Sequence, residues 1–198
     1  MSSTIAVVDY GMGNLRSVSK ALEHVVEDGQ RVIVSSDASE IADAERVVFP
    51  GQGAARDCMK QLKDLKLDEV VLHAAHEKPF LGICMGMQVL MSHSEENQGI
   101  DCMGLYAGDV RAFSDEKLAT QMHSLKIPHM GWNEVSHKQM HPLWSDIKEN
   151  SRFYFVHSYY VDPEDKLLVA GTTEYGIEFV SAIARDNVFA VQFHPEKS

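Results

Sequence analysis

Basic residues are in short supply in this 198-residue chain: 18 Lys and Arg stand against 29 Asp and Glu, a formal charge of −11. Nucleic-acid backbones are held mainly by clustered Lys and Arg, so a broad nucleic-acid-binding role is excluded and a small molecule or a protein is the expected partner. Cysteine is also scarce. Cys58, Cys84 and Cys102 are odd in number and lack paired spacing, which excludes a disulfide framework and a Cys-type zinc site and points to a reducing cytosol. Long apolar runs are missing as well. No stretch approaches the length of a bilayer span, and the opening MSSTIAVVDYG has too short an apolar segment, with no basic residue ahead of it, for a secretory leader. No repeat, low-complexity tract or Pro/Gly-rich linker divides the chain.

What is present reads as one mixed α/β domain over residues 1–198. Short β-branched runs at Ile5 to Val8, Val32 to Val34, Val47 to Phe49 and Phe80 to Ile83 have the length and composition of buried strands. Between them, Asn14 is placed to cap a helix whose apolar stripe runs through Val18, Leu22 and Val25. A second helix is predicted from about Ala54 to His73 through Met59, Leu62 and Leu65. This alternation implies a parallel sheet with helices on both faces. Further strands are expected at Leu105 to Phe113, Arg152 to Val161, Leu167 to Thr173, Phe179 to Arg185 and Val188 to Phe193. The last two are joined by Asp186 and Asn187, a hairpin signal that adds an antiparallel portion.

Three places can carry chemistry. In PFLGICMGMQVLM, Cys84 lies between a predicted strand and a helix beginning near Met85, with Gly82 and Gly86 on either side. A tight strand-to-helix turn presents a nucleophile outward, and a helix N-terminus favours a thiolate; the alternative is a small buried residue ending a core strand. At the far end a strand runs into His194, Pro195 and Glu196. Residues two apart in extended chain share a side, so Glu196 can orient His194 as a general base, although an exposed loop pair has the same sequence. The third place is FPGQGA, where Gly51, Gln52 and Gly53 follow a strand. A reorientable backbone there could aim an N–H at an oxyanion, joined by the N–H of Met85, or could simply form a glycine turn.

Other patterns carry less. His137 with His141 and His73 with His76 have helical spacing but no third ligand nearby, so no metal is called for. The GMGN turn from Gly11 to Asn14 matches no phosphate-loop pattern.

Taken in order, GICMGMQ, QFHPE and FPGQG resemble the nucleophile elbow, the His–Glu pair and the oxyanion strand of the class I, triad-type glutamine amidotransferases over essentially the whole chain. VVDYGMGNLRSV, HMGWN, FVHSYY and HPEKS resemble the branch that serves imidazole glycerol phosphate synthase in histidine biosynthesis. The resemblance implies a flavodoxin-like three-layer α/β/α sandwich with a mixed, mainly parallel sheet. It implies Cys84 as nucleophile, His194 as base and Glu196 as its orienter. Gln88, Glu96 and the backbone of His157, Ser158 and Tyr159 would hold glutamine, while Asn14, Trp132 and Lys197 would face a cyclase subunit in a heterodimer, with no metal or organic cofactor. Two departures accompany it. The family usually continues past HPEKS into a C-terminal helix, which this chain is expected to lack, and Gln52 stands where many relatives carry a small apolar residue. Another cysteine hydrolase built on the same elbow, or a non-catalytic subunit that kept the fold, are the other readings of these residues.

Overall fold

The computed structural model describes residues 3–114 and 125–198. Its first half is the expected alternation: strand β1 (Ser3–Val8), helix α1 (Leu15–Val25), β2 (Gln30–Ser35), α2 (Ala38–Asp43), β3 (Arg46–Gly51), α3 (Ala55–Asp64), α4 (Asp68–Glu77) and β4 (Phe80–Cys84). A short α5 (Met85–Gln88), β5 (Met91–Ser94), β6 (Ile100–Asp101) and β7 (Tyr106–Ala112) follow, then β8 (His129–His137), β9 (Ser151–His157), β10 (Tyr159–Pro163), β11 (Val169–Tyr175), β12 (Ile177–Arg185) and β13 (Val188–Val191).

The strands β2-β1-β3-β4-β13 run parallel, and β12, β10 and β7 extend the sheet in antiparallel fashion. Buried on both faces, the inner parallel strands β1, β3, β4 and β13 alternate their side chains between two cores, while β2 forms the partly exposed edge. Ala6, Val8, Val47 and Phe49 face α2, α3 and α4, where Phe49 meets Tyr10 at 5.4 Å and Phe80 at 6.1 Å between ring centroids. Ile5, Val7 and Val48 face the other way, onto Val18 and Leu22 of α1 and onto Phe153 and Phe155. Each fully buried aromatic or aliphatic side chain stabilises by about 1.5–3 kcal/mol relative to exposure. The third layer is thus α1 plus the β8–β9 hairpin.

The predicted hairpin forms, with Asp186 in the left-handed region at φ 52°. Asn187 then does a second job. Its side-chain amide donates to the carbonyl of Ala75 at 2.7 Å and to that of Lys78, satisfying the end of α4, while its own carbonyl accepts from Phe80 at the start of β4.

Four expectations change. The single helix from Ala54 to His73 is two, because the chain turns at Lys66 (φ 57°) with Leu67 N–H bonded back to Leu62. That turn buries Leu67 and leaves Leu65 exposed, the reverse of the helical stripe. Val25 is also exposed, since α1 ends there and Val26 turns extended and packs inward instead. The run from Arg152 to Val161 is two strands that part at Ser158. The helix after Cys84 is only four residues, so its dipole adds little at the Cys84 sulfur.

Candidate active site

The parallel register places Gly51, the last residue of β3, opposite Cys84, the last of β4. There the chain turns so sharply that Cys84 adopts φ 56°, ψ −110°, a conformation that side-chain-bearing residues rarely hold. The glycines around it are required by contact. A Cβ on Gly86 would lie 1.9 Å from the Phe49 carbonyl oxygen, and one on Gly51 would lie 2.4 Å from the Tyr10 hydroxyl and 2.8 Å from Met85 Cβ. The elbow is therefore wedged against the oxyanion-strand candidate.

Next to β4, β13 delivers the other end of the chain. The His194 N–H donates to the Tyr154 carbonyl at 2.9 Å, and Ser198 Oγ donates to the His194 carbonyl at 2.7 Å, so the turn after the strand is pinned. His194 Nδ1 lies 2.9 Å from Glu196 Oε1, so Nδ1 carries a proton toward the carboxylate and Nε2 is the nitrogen left for proton exchange. Nε2 is buried with no hydrogen-bond partner within geometric limits among the described residues, and Cys84 is the group it couples to. Burial alone would lower the His194 pKa, yet coupling to Cys84 and Glu196 outweighs it and raises it to about 9. Burial would raise the Glu196 carboxyl, but the hydrogen bond and charge of His194 hold it below the usual range.

Asn14 sits at the N-cap position of α1 but makes no side-chain cap; its amide instead donates to Glu196 Oε1 at 3.4 Å. A residue expected at the partner surface thus supports the carboxylate as well.

A cavity of about 590 Å³ opens over Cys84 and His194. Met85 and Gln52 line it on the elbow side, with Gln88 and Glu96 beyond them. His157, Ser158 and Tyr159 form the opposite wall, and Lys197 its rim. Gly51 is buried behind the wall, and Trp132 lies outside, half exposed, edge-on to Tyr154, whose ring also carries the Lys197 ammonium at 5.3 Å. Gly11, Met12, Gly53, Pro128 and Val156 complete the lining, and of these Pro128 lies in no pattern that the sequence marked.

The polar wall is ordered by a chain of hydrogen bonds with a determined direction. The Tyr159 carbonyl can only accept, so His157 Nδ1, 2.7 Å away, carries a proton and Nε2 does not. His129 Nδ1, 2.9 Å from that Nε2, must then be the donor, and its own Nε2 accepts from Asn133 at 3.3 Å. Both rings are neutral: burial pushes His129 down to about 4 and His157 down to about 3. Gln88 Nε2 donates to the same Tyr159 carbonyl at 3.2 Å and to Gln192 Oε1 at 2.9 Å. Its Oε1 is thereby left as an acceptor. Glu96 Oε2 accepts from Ala55 N–H at 2.6 Å, so this corner can receive an ammonium group.

Larger depressions of about 640 and 740 Å³ lie elsewhere, lined by Lys138 and Glu178 in one and by His141 and Trp144 in the other, and neither is lined by a cysteine. His137 stacks on Trp144 at 4.3 Å and faces Glu149 at 3.3 Å. Among the described residues no group of three or more metal-ligating side chains occurs.

The raised pKa of His194 predicts a pH dependence of stability. A base with a folded-state pKa above its ordinary 6.5 contributes stability that is complete below 6.5 and lost as pH rises through about 9. Thermal melting should therefore show a midpoint that falls across that window, and Glu196→Gln, which removes one of the two raising partners, should flatten the fall. The same variant leaves the imidazole unoriented and should lower turnover about 100-fold.

Comparison with known proteins places this geometry. The family model for glutamine amidotransferase class-I matches residues 6–198. The imidazole glycerol phosphate synthase subunit HisH of Dechloromonas aromatica is 60% identical over 196 residues, covering 98% of this chain and 90% of that one. The subunit of the same name from Hydrogenovibrio crunogenus is 53% identical over 194 residues, 98% of this chain and 89% of that one. Among solved structures, a crystal structure of a glutamine amidotransferase superposes with a TM-score of 0.71 at 14% identity, over 98% of this chain and 91% of the other, a likeness of fold.

Proposed function

Because the chain belongs to the class-I glutamine amidotransferases, we propose that it works as the glutaminase subunit of imidazole glycerol phosphate synthase, with Cys84 as its nucleophile. The observation that carries the site assignment is the strained Cys84 at the floor of a cavity beside a buried His194–Glu196 pair.

In this reading His194 Nε2 takes the Cys84 proton and the thiolate attacks the δ-carbonyl of glutamine. The tetrahedral oxyanion is met by backbone N–H groups of the Gly51–Gln52 strand and of Met85. His194 returns the proton to the leaving nitrogen, and ammonia departs. A water then gives its proton to His194 and its oxygen to the thioester carbon, releasing glutamate and the Cys84 thiol. Glu196 holds the imidazole in one tautomer through both halves. Gln88 Oε1 and Glu96 supply acceptors for the substrate's α-ammonium, and the backbone of His157, Ser158 and Tyr159 supplies the remaining contacts. The chemistry needs no metal or organic cofactor.

Ammonia released into water largely becomes ammonium and ceases to be a nucleophile, so it is useful only when it passes directly to a cyclase subunit. We place that subunit over the cavity rim, where Trp132 (50% exposed) stands against Tyr154, whose ring carries Lys197, and Met130 (61% exposed) lies two residues earlier on β8. The three thiols are unpaired, as a reducing, cytoplasmic compartment requires, and no described helix is long and apolar enough to cross a membrane. The test is co-purification with the cyclase, then glutamate release measured with and without it and its nucleotide substrate. Stimulation of at least about 10-fold, near 1.4 kcal/mol of transition-state coupling, is expected. Equal rates for the free and assembled chain would overturn the coupling.

A further inference from the structure

Gln192 lies between the end of β13 and His194 and is completely buried, a position where an uncharged polar side chain must have each end satisfied. Its backbone continues the sheet by donating to Ser181 at 2.9 Å. The side chain's orientation is settled by the same logic that fixed the histidine tautomers. Gln88 must present Nε2 to the Tyr159 carbonyl, and the second proton of that nitrogen reaches Gln192 at 2.9 Å. The Gln192 atom receiving it is Oε1, so the opposite end is the amide N–H, and it points at Cys84 Sγ at 3.6 Å.

We propose that Gln192 is a further catalytic residue, whose amide N–H holds the Cys84 sulfur and stabilises it as a thiolate while its carbonyl ties that contact to Gln88. An N–H aimed at sulfur is a weak bond to a thiol and a much stronger one to the anion, so it acts where charge is present. It approaches the sulfur by a route separate from the imidazole of His194. Because Gln88 holds the other end of the amide, a substrate engaging Gln88 Oε1 orders the donor at the nucleophile. The inference rests on Cys84 being the nucleophile, as proposed above.

The experiment is alkylation of the full-length chain by iodoacetamide, followed by mass spectrometry at Cys84, Cys58 and Cys102 separately across pH 5 to 10, in wild type, Gln192→Met and Gln192→Glu. Methionine fills similar volume without a donor. Glutamate keeps the shape and the acceptor for Gln88 but sets a carboxylate against the sulfur. The Cys84 rate at pH 7 should fall about ten-fold in Gln192→Met, and further in Gln192→Glu, with the pH midpoint of alkylation moved upward. Glutaminase kcat should fall in parallel, with KM changing less. Variants that melt cooperatively yet alkylate with the wild-type midpoint would overturn the proposal and leave Gln192 a packing residue. Should Gln192→Met fail to fold, the near-isosteric Gln192→Glu decides alone. Wild-type Cys84 alkylating no faster than buried Cys58 would instead overturn the nucleophile assignment itself, an outcome read without any variant.

Discussion

A Cys84→Ala chain is expected to lose glutamine hydrolysis by about 1,000-fold or more while its complex with the cyclase still turns over added ammonia. The loss is large because no other group can take over. Cys58 is fully buried and burial pushes its thiol up to about 12, while burial, Asp101 and Glu96 hold Cys102 up at about 11, so both stay protonated. Alanine keeps a Cβ in the same φ 56° conformation, so the elbow and the cavity wall should persist, and the melting midpoint should stay within a few degrees. Retention of glutamine-dependent glutamate release would remove Cys84 from the mechanism. Loss of the ammonia-dependent reaction as well would indicate that the substitution had damaged the assembly.

Gly86→Ala should be a severely damaging change, since its added Cβ makes the shortest contact found for any described glycine. The added Cβ would meet the Phe49 carbonyl oxygen at 1.9 Å, well inside any tolerated contact, and the obstacle is backbone in a central strand. Phe49 cannot retreat, since β3 is hydrogen-bonded between β1 and β4 and its ring is packed on Tyr10 and Phe80. Nor can the elbow move outward, because Gly82 already lies so close that a Cβ there would be 2.9 Å from the Gly86 carbonyl oxygen. Overpacking with forced backbone movement costs about 3 kcal/mol or more, equivalent to a fall in melting midpoint of about 6–12 °C in a chain of this size. Gly104→Ala is the control: at φ +69° it pays only the left-handed penalty, with nothing within 4 Å of the new methyl, and about 1 kcal/mol is expected. Equal melting of the two variants would show that the close approach at the elbow is not a constraint.

The parts of the fold that were legible from composition and spacing are those decided by local physics. β-branched runs bounded by polar turns became β1 to β4, and the Asp186–Asn187 pair made its hairpin because a two-residue turn needs a left-handed position that Asp186 can take. Where local preference competed with burial, burial won. Lys66 accepts a left-handed turn in what reads as continuous helix because that places Leu67 in the core, and Asn14 gives up its cap to reach Glu196. The strand β8 was not legible, since HMGWNEVSH is neither alternating nor strongly apolar and is held by its pairing with β9 and, at its end, with β11.

For the site, the primary structure by itself determined which residue types were available: one cysteine between two glycines, one strand ending in His and Glu, and one glycine-rich strand end. Each alone admitted a bland reading, because a chain read in order carries no distances between its ends. The tertiary structure decided that β4 and β13 are parallel neighbours, bringing residues 84 and 194 together across more than half the chain. It also decided what no spacing could indicate: that the side chain of Gln192, two places before the histidine, faces Cys84. A side chain's partner is set by what the sheet places opposite it, and only the folded register supplies that.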